Sequence, residues 1–132
     1  MVNLTSIWYQ IAAFDTLLRA SDAGRAVLVS SGAAQGARAY WGAYAVSKAG
    51  LEAMARAWAA ESEKTEMKIN LIDPGATRTA MRAAAYPGED PDSLSTAEDI
   101  TPAFLHLLSA DCTSQGMLYK AVELSAKLGS PI

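Results

Sequence analysis

The chain has 132 residues, of which 51% are hydrophobic, and its 11 basic and 14 acidic side chains give a net charge of −3. That length fits one domain, residues 1–132, and without any run of Lys or Arg neither nucleic acid nor an anionic membrane is an expected partner. No stretch nears the roughly 20 unbroken apolar residues of a membrane-spanning helix, the amino terminus does not read as a secretion signal, and the single Cys112 cannot make an internal disulfide, so a cytoplasmic setting is expected.

Leu4, Ile7, Trp8, Ile11, Phe14 and Leu18 recur at three- and four-residue steps, which predicts an amphipathic helix over residues 3–21, stopped by Asp22-Ala23-Gly24. Residues 25–31, with β-branched Val27 and Val29, read as a strand covered on both faces. Residues 43–62 are rich in Ala, Leu and Met without proline and predict a long helix. A second strand follows over 67–72, stopped by Asp73-Pro74-Gly75. A short helix is expected around 79–84, an exposed loop over 84–94 and a helix over 96–109 carrying Ile100, Phe104, Leu107 and Leu108. Residues 116–122 read as the last strand, and no element is assigned after Ser125. Alternating strands and helices imply an α/β fold of parallel strands joined by helical crossovers.

The chemistry concentrates between Ser31 and Lys48. Tyr44 and Lys48 are four apart and share one helix face. An ammonium beside a phenol favours the phenolate, which suits Tyr44 to proton transfer. Ser31, arriving from a strand end, can hydrogen-bond the same substrate oxygen, whereas Ser30 faces the other way. His106 has no second ligand nearby in sequence and reads as structural, so no metal site is expected.

The pattern Ser31-x12-Tyr44-x3-Lys48 closely resembles the active-site segment of the short-chain dehydrogenase/reductases. Two further segments extend the likeness: Val2-Asn3-Leu4-Thr5, and Asp73-Pro74-Gly75-Ala76-Thr77-Arg78-Thr79 after a strand. The resemblance implies a partial Rossmann-like, doubly wound parallel sheet of three strands with flanking helices. It implies oxidoreduction of alcohol or carbonyl groups with NAD or NADP. Asn3, Ser31, Tyr44 and Lys48 would be catalytic, although asparagine also favours helix N-caps. Tyr44, Lys48, Pro74, Gly75, Thr77 and Thr79 would hold the cofactor, with Lys48 on the nicotinamide ribose. Gln35, Arg38, Tyr40 and Trp41 would line the substrate cleft, and residues 81–94 would form a flap over it.

The likeness covers residues 3–119 and only the later, carboxyl-terminal half of the family fold. The Gly-x3-Gly-x-Gly turn that binds the pyrophosphate is not found among the nine glycines. The last strand lacks the family's Val-Asp-Gly-Gly-like continuation. Half a fold leaves a strand edge unpaired, which favours self-association, and by resemblance a homo-oligomer would form through helices 3–21 and 43–62, which bear Trp8 and Trp58. The competing reading is a non-catalytic remnant or assembly module that binds no dinucleotide alone. A hydrolase is disfavoured, because no Gly-x-Ser-x-Gly elbow is present.

Overall fold

The computed structural model describes residues 2–36 and 38–129. Its elements run α1 (Thr5–Arg19), β1 (Arg25–Val29), a 3-10 turn (Gly32–Ala34), α2 (Gly42–Glu61), β2 (Lys68–Asp73), α3 (Ala80–Ala85), a 3-10 turn (Pro91–Ser93), α4 (Ala97–Leu108), β3 (Leu118–Lys120) and α5 (Ala121–Gly129). The three strands form one parallel sheet in the order β1-β2-β3. Register pairs Val29 with Ile72 and Ile72 with Tyr119, so the carboxyl ends of all three strands lie at one edge.

Strand alternation explains the layering. On one face Leu28, Ile69 and Leu71 pack with Leu51, Ala55 and Trp58 of α2, and α1 adds Ile7, Ile11 and Leu18. On the other, Ile72 packs with Ile100, Ala103 and Leu107 of α4 and Ala121 of α5. Central β2 is therefore covered on both sides, and Ile69, Leu71 and Ile72 are fully buried. Asn70, also buried, donates from Nδ2 to the Ser114 carbonyl at 2.8 Å and accepts at Oδ1 from the Met117 N–H at 3.1 Å. These bonds satisfy its amide and bind β2 to the segment leading into β3.

Two expectations need correction. The last strand is three residues long instead of running over 116–122, and a helix follows at once where none was assigned. Ala121, Leu124 and Ser125 recur at helical spacing and pack against α4. There the Ser125 hydroxyl accepts from the Ala103 N–H at 3.1 Å and donates to the Ile100 carbonyl at 3.2 Å. Those contacts reward a helix where Val122 on its own suggested strand. Trp58 is not an association surface: it is 5% exposed, inside the α1–α2 contact, and its indole donates to Asp15 Oδ1 at 2.6 Å. Trp8, Tyr9, Phe14 and Leu17 of α1 do face outward.

Among the described residues β1 pairs with β2 alone, so its outer edge is bare. A largely apolar groove of about 610 Å³ runs between that edge and α1.

Candidate active site

Parallel pairing brings two loops side by side at the carboxyl edge of the sheet, the position where open α/β sheets hold ligands. The Ser30 N–H donates to the Ile72 carbonyl at 2.8 Å, so the segment after β1 leaves beside the one after β2. From β1 the chain passes through Ser31 into the 3-10 turn, where Ser31 Oγ accepts from the Ala33 N–H at 3.3 Å. From β2 it turns at Pro74-Gly75, with Asp73 Oδ1 accepting from the Gly75 N–H at 3.0 Å. Gly75 has φ 72°, a left-handed conformation that a side chain would strain.

A cavity of about 330 Å³ lies between these loops and the start of α2. Ser31, Tyr44, Pro74, Gly75, Thr77 and Thr79 all line it, so six of the eight residues singled out from the sequence share one space. Thr77 Oγ1 donates to the Pro74 carbonyl at 3.3 Å, and Thr79 caps α3 by accepting from the Arg82 N–H at 3.1 Å. The two hydroxyls thus differ: Thr77 has lone pairs to offer, and Thr79 keeps its O–H to donate.

Lys48 and Asn3 line the adjoining α1–β1 groove instead. Lys48 Nζ donates to the Val29 carbonyl at 2.8 Å and stands 6.0 Å from the Tyr44 ring centroid. Burial of this ammonium lowers its pKa below the ordinary lysine value. Asn3 does not cap α1. Its Nδ2 donates to Ser47 Oγ at 3.4 Å, and Ser47 Oγ donates on to the Tyr44 carbonyl at 2.8 Å. Asn3 therefore reaches α2 beside Lys48 without touching the Tyr44 hydroxyl.

The cavity opens into a second lobe of about 300 Å³ that shares Ser31, Trp41, Asp73, Gly75, Arg82 and Tyr86. Its wall is a stack of rings and guanidinium groups. Trp41 meets Tyr44 edge-on at 5.6 Å, Arg38 lies 4.9 Å over Trp41 and 5.0 Å over Tyr86, and Arg82 lies 3.8 Å over Tyr86. Arg38 also donates to the Tyr86 hydroxyl. Arg82 forks onto Glu89 at 2.6 and 2.7 Å, bracing the 81–94 segment within itself and holding the Glu89 carboxyl below its usual range.

Two residues expected in the cleft are elsewhere. Tyr40 points into solvent at φ 67°. Gln35 turns away to bond Glu52 Oε1 at 2.7 Å. The sequence reading also passed over Asp73 as a cleft carboxylate, because its role in ending β2 hid the side chain's position. Glu52 was missed too, although it continues the four-residue row of Tyr44 and Lys48 on α2. No group of three or more His, Cys, Asp or Glu placed to hold a metal occurs among the described residues.

Residues 1–90 match the family model of the short chain dehydrogenases. Over 121 residues the chain is 43% identical to the uncharacterized oxidoreductase YciK of Escherichia coli K12, covering 91% of this chain and 48% of that protein. Over 64 residues it is 38% identical to NADPH-dependent aldehyde reductase 2, chloroplastic, of Arabidopsis thaliana, covering 48% of this chain and 24% of that one. The 0.95 Å structure of E. coli yciK matches with a TM-score of 0.86 at 43% identity, over 91% of this chain and 49% of that one. A structure from E. coli CFT073 complexed with NADPH matches with a TM-score of 0.85 at 42% identity, over 91% and 50%. The chain spans about half the length of the YciK-like relatives it matches. The family-model match, the identity to YciK and the shared half-fold together show that this chain belongs to the short-chain dehydrogenase family.

Proposed function

We propose that this chain forms the reaction end of an NAD(P)-dependent oxidoreductase of small alcohol or carbonyl compounds, corresponding to the carboxyl-terminal, catalytic half of the family fold. The observation that carries this reading is the single cavity joining Ser31 and Tyr44 to Pro74, Gly75, Thr77 and Thr79, with the Lys48 ammonium 6.0 Å from the Tyr44 ring centroid. The relatives solved with NADPH and NADP support a nicotinamide dinucleotide as the cofactor class.

The residues fit a nicotinamide. Gly75 lines the cavity, and a Cβ built on it would meet only Val122 Cγ2, at 3.9 Å, so the backbone here is open enough for a flat ring to approach. A primary carboxamide is both donor and acceptor, matching the lone pairs of Thr77 and the O–H of Thr79. Lys48 spends one N–H on Val29 and retains two for ribose hydroxyls. When bound, the nicotinamide would supply or accept the hydride.

In the reducing direction Tyr44 hands its proton to the substrate carbonyl oxygen as the carbon becomes an alcohol carbon. Ser31, whose Oγ accepts from Ala33, keeps its O–H to donate to the same oxygen and orient it. The Lys48 charge steadies the negative charge that develops on the tyrosine oxygen. Asn3, through Ser47, fixes the turn of α2 that bears Tyr44 and Lys48. Trp41 and Tyr86 give the substrate lobe an aromatic wall.

The bare β1 edge beside the 610 Å³ groove favours a second reading, an assembly module that retains the site residues but binds no dinucleotide alone. We propose that self-association uses the exposed α1 side chains Trp8, Tyr9 and Leu17, with Phe14 at the rim of the groove. The buried thiol of Cys112 suits a reducing, cytoplasmic setting. Titration with NADPH and NADH, followed by nicotinamide fluorescence, separates the readings. A saturable rise that Gly75→Leu removes supports the oxidoreductase, and no response to either dinucleotide supports the module.

A further inference from the structure

The least expected group on α2 is Glu52, a carboxylate 4% exposed in the helix that carries Tyr44 and Lys48. Its partners explain how it tolerates burial. Oε1 accepts from the Ser30 hydroxyl at 2.5 Å and from Gln35 Nε2 at 2.7 Å, and Oε2 accepts from Arg56 Nη2 at 2.9 Å. Arg56 is half open to water, so the charge is balanced at the surface while the two neutral donors lie deeper.

The positions of those donors matter more than their number. Ser30 immediately precedes Ser31, and Gln35 closes the 3-10 turn that follows it. One carboxylate oxygen thus grips the chain on both sides of Ser31. Four residues earlier on the same helix face, Lys48 grips the Val29 carbonyl. The row Tyr44, Lys48, Glu52 therefore ties α2 to the end of β1 at two successive turns. Ser30 and Ser31 both line the cavity, but the Ser30 hydroxyl donates to Glu52, which leaves the Ser31 O–H to point its proton at a substrate.

We infer that Glu52 is the positioning residue that sets Ser31 against Tyr44, acting through Ser30 and Gln35. This rests on reading Ser31 and Tyr44 as the reacting pair. Its physical content is local: Glu52 holds residues 30–35 in one arrangement on α2, beyond its share in the stability of the core.

The test compares Glu52→Gln with Glu52→Ala in the full chain, using amide hydrogen exchange resolved by residue, with thermal unfolding as the control. Glutamine keeps an oxygen that accepts from both donors, and alanine removes it. In Glu52→Ala the amides of residues 32–35 should exchange about tenfold faster while those of β2 stay unchanged, and Glu52→Gln should remain within about threefold of the parent. Ser30→Ala, which leaves the carboxylate paired with Gln35 and Arg56, should loosen the same segment if Glu52→Ala does not fold. Equal acceleration throughout the sheet, or none in residues 32–35, would make Glu52 a core residue only and overturn the inference. Where the parent turns over a carbonyl substrate, Glu52→Ala should lower kcat with little change in KM for the dinucleotide. Exchange at 32–35 is read without turnover, so an inactive parent would count against the oxidoreductase reading and leave the test of Glu52 intact.

Discussion

Replacing Trp58 by phenylalanine removes one hydrogen bond at the α1–α2 junction and little else of shape. The indole N–H reaches Asp15 Oδ1 at 2.6 Å, and Arg19 holds the same carboxylate at 2.8 and 2.9 Å while bonding Ser62 Oγ at 3.1 Å. A hydrogen bond to a charged group contributes about 1.5–3 kcal/mol. Asp15 keeps Arg19 and its side chain is 30% exposed, so the lower end, about 1.5 kcal/mol, applies here. The smaller ring in a site that is 5% exposed adds about 1 kcal/mol for lost packing. A total near 2.5 kcal/mol, at a urea slope of about 2 kcal/mol per M, moves the unfolding midpoint down by about 1 M with the slope unchanged.

The pH dependence checks the cause. Hydrogen bonds from Arg19 and then Trp58 lower the Asp15 pKa, so its contribution is complete above the unfolded value near 3.9 and disappears as pH falls through the lower folded value. The gap between parent and Trp58→Phe should therefore narrow in that acid window. A midpoint shift below about 0.3 M, or a gap that holds constant into acid, would refute the clamp.

Three further outcomes follow from the packing and the cleft. Leu71→Ala empties a fully buried site in the central strand and should cost about 3–4 kcal/mol in denaturant unfolding; a cost below about 1.5 would contradict the two-sided burial of β2. Gly75→Ala finds space for its Cβ but not for its φ of 72°, so it should lower stability by about 1 kcal/mol, read as a fall of about 4 °C in Tm. An unchanged or higher Tm would contradict the left-handed turn. The Lys48 pKa, followed through its side-chain carbon resonance, should lie below the ordinary lysine value near 10.4. Between those two values the unfolded chain binds more protons, so this group makes stability rise with pH there. An unshifted titration would show that burial does not act on Lys48.

The elements that bury one continuous stripe were readable from the sequence. α2 and β2 begin and end within a residue or so of expectation, since Leu51, Ala55, Ile69 and Leu71 obey their periods and Asp73-Pro74 stops the strand. α5 was not readable, because its helicity depends on Ser125 meeting the backbone of α4 across 22 and 25 positions of sequence. The gathering of Ser31, Tyr44, Pro74, Gly75, Thr77 and Thr79 around one cavity follows from parallel register, which spacing along the chain implies once strands and helices alternate. The inward turn of Gln35, the outward turn of Tyr40 and the grip of Glu52 on Ser30 depend on tertiary contacts that no local pattern encodes.

The central claim concerns proton transfer by Tyr44 in a cleft that accepts hydride chemistry. Its most direct measurement is transfer of deuterium from 4-deuterated NADPH to an aldehyde, made on a chimera in which this chain replaces the 121-residue stretch it matches in YciK. The expected result is label in the alcohol product and a loss of about 10³-fold in Tyr44→Phe with dinucleotide binding retained. Label transfer at an undiminished rate in Tyr44→Phe would contradict it.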